Sequence, residues 1–129
     1  MRHTTKARTR RPHHNLGRAY GRLVEWDKDD IAATRAIDEW RKAAALYQLA
    51  GRNLSFALSQ TNLAEALLDK RELLVQEGGA NRLAIARLYY QEAKTKLDAA
   101  ESVLTEAKSK KYLEIVARAR ERLDAVPRG

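Results

Sequence analysis

Few residues in this chain have both the type and the neighbours that catalysis requires. The three histidines, His3, His13 and His14, fall among prolines, threonines and arginines near the start. A metal-ligating histidine needs a partner that fixes its ring, and a catalytic one needs a neighbour that orients it. The polar stretch around these three provides neither, so they suit a role as extra cations beside phosphate at mildly acid pH. There is no cysteine, which excludes disulfides, thiolate catalysis and zinc–thiolate sites. No glycine-rich phosphate loop, nucleophile elbow or HExxH pattern occurs. Carboxylates are plentiful, but many stand four positions from a base: Arg35–Glu39, Asp38–Lys42, Glu92–Lys96, Lys94–Asp98, Glu106–Lys110 and Glu114–Arg118. Such pairs contribute a few tenths of a kcal/mol on an exposed helix. They describe a solvated helix surface rather than an acid–base dyad. The expectation is a protein that is not an enzyme and uses no cofactor or metal.

What the chain offers in quantity is positive charge, and it is unevenly placed. The 129 residues carry 25 Lys/Arg against 17 Asp/Glu, a net charge of +8. Residues 1–24 hold seven of the bases, Arg2, Lys6, Arg8, Arg10, Arg11, Arg18 and Arg22, and no acid. Residues 25–129 hold 18 bases and 17 acids and are nearly neutral. An acid-free run of bases interleaved with Thr, Gly, Asn and His suits phosphate-backbone contacts that read no base. RNA, or a nucleoprotein assembly, is expected ahead of DNA, without sequence specificity. Seven phosphate contacts imply a log–log salt slope of roughly −5 to −6. A mitochondrial leader should be amphipathic from its start, and a membrane-surface segment wants bulky apolar groups opposite its bases. Residues 1–15 have no large apolar side chain except Met1. A solubilising tail, or an arm that docks on an acidic protein, stays open.

A second basic cluster stands near the C-terminus: Lys108, Lys110, Lys111, Arg118, Arg120 and Arg122. Lys111, Arg118 and Arg122 are seven and four apart and share roughly one helix stripe, with Glu114 in it and Glu121 beside it. This reads either as a charged helix face or as a second nucleic-acid surface made of Lys108, Lys110, Lys111, Arg118 and Arg122. Tyrosines offer stacking platforms for bases. Tyr47 and Tyr90 fall on apolar stripes and belong in a core. Tyr89, beside Tyr90, faces elsewhere and is the candidate aromatic contact, while Tyr112 marks a helix junction.

The elements that position these groups are helices. Both prolines lie at the ends, Pro12 and Pro127, and the interval between them is rich in Ala and Leu and poor in Val and Ile. Apolar residues there recur at three- and four-residue steps, which favours helix over strand. The composition, 44% hydrophobic and 33% charged, is that of a globular domain. No apolar run approaches the ~20 residues of a membrane span. The expected fold is all-α, with about four long helices in two stacked hairpins and a basic N-terminal extension. Within that extension, Leu16, Tyr20, Leu23 and Val24 fall at helical spacing, so residues 15–25 suit a short packed helix and 1–14 a free end. The expected setting is the cytoplasm.

Punctuation places the helices over residues 25–126. The first opens at Asp27, Asp29 and Asp30, carries the stripe Ile31, Ala36, Trp40, Ala43, Tyr47, Ala50, and ends at Gly51. Asn53 caps the second, which carries Leu54, Ala57, Leu58, Leu63, Ala64, Leu67, Leu68 and Leu74 and stops at Gly78-Gly79. The third runs from about Asn81 to Ala107, about 40 Å. The fourth spans Tyr112 to Val126, capped by Ser109 and stopped by Pro127. No glycine separates the last two, so one continuous rod is the alternative.

A repeat argues for the break. Shifted by 57, the residues Ala36, Trp40, Ala43, Leu46, Tyr47 and Ala50 fall on Ala93, Leu97, Ala100, Val103, Leu104 and Ala107. At an offset of 59, Leu54 and Ala57 fall on Leu113 and Val116. Related hairpins stacked in series are the signature of a repeat protein. The stretch Trp40, Ala43, Ala44, Tyr47, Gly51, then Phe56-Ala57 and Leu63-Ala64, resembles a tetratricopeptide repeat. The second copy departs from that pattern, with Leu97, Leu104 and Lys108 where the first has Trp40, Tyr47 and Gly51. The resemblance implies a helix-pair scaffold that holds other proteins. Its groove would be lined by Asp38, Arg41, Ala45 and Gln48, and in the second copy by Thr95, Asp98, Ser102 and Thr105. The partners expected are a nucleic acid and a protein neighbour or a second copy of the chain, with no membrane. A pure protein adaptor that never touches nucleic acid is the alternative.

Overall fold

Alanine and leucine at three- and four-residue steps, free of proline, give four helices in the computed structural model, which describes residues 30–127. They are α1 (Asp30–Leu49), α2 (Asn53–Glu77), α3 (Ala80–Glu106) and α4 (Lys110–Asp124). No strand occurs among the described residues. The arm residues Arg2 to Arg22, the segment 15–25 and the caps Asp27 and Asp29 lie outside them. Links of two or three residues join the helices, which makes successive helices antiparallel neighbours. The α2 helix packs against α1, α3 and α4, and α4 also packs against α3.

That central position explains the character of α2. Five consecutive positions, Ala66, Leu67, Leu68, Asp69 and Lys70, are all buried, so α2 has no solvent-facing side there. Around it the core gathers Trp40 from α1, Leu63, Leu67 and Leu68 from α2, Leu97 and Leu104 from α3, and Leu123 from α4. Alanines such as Ala36, Ala57, Ala64, Ala93 and Ala100 are fully buried between them. Each buried leucine contributes roughly 1.5–3 kcal/mol against an exposed one. A smaller cluster joins Ala32 and Ala33 of α1 to Leu73 of α2.

The break between α3 and α4 is real, and the rod alternative falls. Lys108 takes the left-handed conformation, φ 57°, and turns the chain. Its N–H donates to the carbonyl of Thr105 at 3.1 Å, and that of Ser109 donates to Leu104 at 3.1 Å. This bond pair is the Schellman ending. Several boundaries and faces differ from the sequence reading. Ile31 is 65% exposed while Ala32, Ala33 and Ile37 are buried, so the expected α1 stripe holds from Ala36 through Trp40 and Ala43 to Tyr47 but not at Ile31 or Ala50. Asn53 is the first residue of α2, whose cap position is Arg52 with no side-chain bond. Ser109 holds the cap position of α4, also without one. The fourth helix starts at Lys110 and ends at Asp124, short of Pro127.

Candidate functional site

The C-terminal bases divide into two groups once the helices are placed. Lys108 turns the chain at the α3–α4 corner, and Lys110 and Lys111 open α4, one turn and more before Arg118. All four are exposed, and none has an ion-pair partner among the described residues. The Lys111 ammonium lies 5.9 Å from the Tyr112 ring centre, at the edge of cation–π range. Arg122 differs. Its guanidinium pairs with Asp69, whose side chain is only 10% exposed, and donates to the Glu65 carbonyl at 3.3 Å. Burial works against the Arg122 cation, but the carboxylates of Asp69, Glu72 and Glu65 together more than offset it and its pKa rises above the ordinary value. Arg122 is therefore a tie between α4 and α2, with its guanidinium engaged by Asp69. Arg120 likewise bonds Asp98 at 2.7 Å and Glu101 at 3.0 Å, and the bond to Asp98 raises its pKa.

These pairings also revise the charged-face reading. Glu92 and Asp98, placed by spacing with bases on their own helix, pair instead across helices with Arg41 and Arg120. One Arg41 nitrogen, Nη2, lies 2.7 Å from both Glu92 oxygens, a charge-assisted contact. Another cross-helix pair joins Lys70 of α2 to Asp30 at the start of α1, with Thr34 3.3 Å from the same ammonium.

The Arg41–Glu92 pair locates the groove residues. Both α1 and α3 lie on α2, and the pair bridges them. Asp38, Ala45 and Gln48 share the exposed face of α1 with Arg41, and Thr95, Ser102 and Thr105 are exposed on α3. The bridge brings the α1 stripe beside the α3 stripe. Within them Arg41 and Asp98 are already paired, and Thr95 donates its hydroxyl to the Gln91 carbonyl. Asp38, Gln48, Ser102 and Thr105 keep their side chains to solvent. Tyr89, expected to face away, is half-buried against the same core as Tyr47, Tyr90 and Tyr112.

Sequence reasoning missed a cavity of about 390 Å³ between the C-terminal part of α2 and the N-terminal half of α3. Its walls are Val75, Leu83, Val126 and Pro127. Its polar groups are Arg71, Arg87 and Lys94, with Tyr90 and Gln91. The signal on α3 was legible, since Arg87, Tyr90, Gln91 and Lys94 recur at helical spacing. Arg71 sits on another helix, and Lys94 had been assigned to Asp98. Among the described residues no cluster of His, Asp and Glu could hold a metal ion, and no helix is long and apolar enough to cross a membrane. No family model, curated protein or solved structure matches the chain.

Proposed function

We propose that this is a non-enzymatic binding protein that attaches to a nucleic-acid phosphate backbone and holds a protein neighbour on its helical body. The observation that carries the reading is the α3–α4 corner, where Lys108, Lys110, Lys111 and Arg118 are exposed and, among the described residues, in no ion pair. Cations left unpaired on a charged helix surface are available to phosphate, whereas Arg120 and Arg122 are spent on the fold. The seven bases of residues 1–24 add sequence-level support. Contacts of this kind position a backbone and read no base. RNA is favoured over DNA, and the setting is cytoplasmic. The body, tetratricopeptide-like in this reading, takes its neighbour or a second copy along the Asp38–Gln48 and Thr95–Thr105 faces. The groove bridged by Arg41 and Glu92 favours one alternative, a protein adaptor whose bases serve solubility alone.

Full-length protein in which Lys108, Lys110, Lys111 and Arg118 are changed to Gln separates these. On the nucleic-acid reading, affinity for a labelled single-stranded RNA falls for every sequence alike. Unchanged affinity removes the corner from the interface, and absence of binding by the unaltered protein leaves the adaptor.

A further inference from the structure

The cavity beside α3 has a cause in the helix lengths. The α3 helix has 27 residues and α4 only 15, about 40 Å against about 22 Å. The α4 helix runs back along α3 from the Lys108 corner, and Arg120 reaches Asp98 and Glu101. It therefore ends before the N-terminal half of α3 is covered. Val126 and Pro127 close one end of the wedge left between α2 and α3. Leu83 at 47% and Val75 at 38% exposure remain open to solvent within it.

The chemistry of this wedge is one-sided. Among the described residues three cations line it and no carboxylate does. Four arginines elsewhere on the body, Arg41, Arg82, Arg120 and Arg122, are each in an ion pair. Among the described residues Arg71, Arg87 and Lys94 make none. The acids nearest Arg71 in sequence are occupied, Asp69 and Glu72 by Arg122 and Glu77 by Arg82. Asp98, one turn beyond Lys94, is held by Arg120. The Tyr90 hydroxyl and the Gln91 amide add donors without adding charge. An apolar floor with convergent donors and a volume within about 300–1,000 Å³ is the form of a small-ligand site.

We infer that this cavity binds a small phosphate monoester carried on an aromatic or short apolar body. The phosphate lies among Arg71, Arg87 and Lys94, and the body lies against Leu83, Val75 and the Val126–Pro127 end. Three cations around one head favour a group of charge near −2, which a phosphate monoester has at neutral pH and a carboxylate lacks. Arginine offers a planar fork for two phosphate oxygens, and lysine adds a point charge. The cavity lies toward the opposite end of α3 from Lys108. It is thus separate from the corner proposed to meet nucleic acid, and the inference does not rest on that reading.

The test is a titration of full-length, nitrogen-15-labelled protein with phenyl phosphate, followed by amide NMR. Inorganic phosphate, phenylacetate and benzyl alcohol serve as comparators. Arg87→Gln with Lys94→Gln, and separately Leu83→Asp, change exposed positions, and circular dichroism verifies their helix content. The expected result is saturable binding with shifts confined to residues 71–75, 83–94 and 126–127. Phenyl phosphate should bind about tenfold or more tighter than inorganic phosphate, because the apolar walls contribute. The double glutamine variant should lose at least about tenfold, and Leu83→Asp should abolish binding. Equal affinity for inorganic phosphate, tighter binding of phenylacetate, or shifts centred on Lys108–Arg118 would each overturn the assignment. So would unchanged affinity in the folded variants, or no saturable binding at all.

Discussion

Gly51 and Lys108, 57 positions apart, end their helices in the same way. Gly51 has φ 69° and Lys108 φ 57°. The N–H of Gly51 donates to Gln48 and that of Lys108 to Thr105, both at 3.1 Å. The next residues, Arg52 and Ser109, donate to Tyr47 and Leu104 at 2.9 and 3.1 Å. All of these groups correspond at the offset found in the sequence, and so do the ends of α1 and α3 at Leu49 and Glu106. The repeat is thus carried by the backbone turn as well as by the buried Ala36/Ala93, Trp40/Leu97 and Ala43/Ala100 pairs.

This relationship predicts opposite outcomes for two substitutions. A side chain at Gly51 would meet nothing within 4 Å, so Gly51→Ala should cost only the left-handed backbone, about 1 kcal/mol. Lys108→Gly relieves the same cost and should gain about 0.5–1 kcal/mol. Urea denaturation of both variants measures this; destabilisation by Lys108→Gly would refute the shared ending.

Arg122 and Asp69 predict a second pattern. Asp69→Leu alone leaves a half-buried cation without its partner and should cost about 2–3 kcal/mol, a value reduced for the partial exposure of Arg122. Changing both to leucine should cost less than the sum of the two single changes. Strictly additive losses in a double-mutant cycle would show that the pair is not coupled.

Ser59 predicts a gain. Its hydroxyl is fully buried on α2 and has no hydrogen-bond partner among the described residues, whereas Thr61 donates to the Ala57 carbonyl at 2.9 Å. Ser59→Ala removes an unsatisfied polar group and should be neutral or stabilising by up to about 1 kcal/mol. A loss of 1 kcal/mol or more in thermal or chemical denaturation would count against this description of the site.

Much of the fold was legible because alanine, leucine and the Gly78-Gly79 pair speak locally. The four helices, the core role of Trp40 and the α2–α3 break followed from spacing and punctuation. The first turn of α1 did not, because Ala32 and Ala33 beside Ile31 leave its inward face open to either choice. Packing on Leu73 buries Ala32 and Ala33 and exposes Ile31. A turn at Lys108 carries no glycine to announce it. The ion pairs were hidden for another reason: Arg41–Glu92, Lys70–Asp30 and Arg122–Asp69 join residues 51, 40 and 53 positions apart. Local spacing therefore offered nearer but wrong partners, and it hid the fact that Arg71, Arg87 and Lys94 were left over. The corner of four unpaired bases became distinct only when Arg120 and Arg122 were taken out of it.

The central claim is phosphate-backbone binding without base readout, and salt dependence tests it most directly. Full-length protein is titrated with labelled single-stranded RNA and duplex DNA of unrelated sequences across a range of salt concentrations. Seven arm contacts predict a log–log slope of roughly −5 to −6, and the four corner bases steepen it to roughly −8 to −10, shared by all sequences. Lys108→Gln, Lys110→Gln, Lys111→Gln and Arg118→Gln should each flatten it by about one unit. A slope near zero, or no binding at low salt, would contradict the account and leave a protein adaptor.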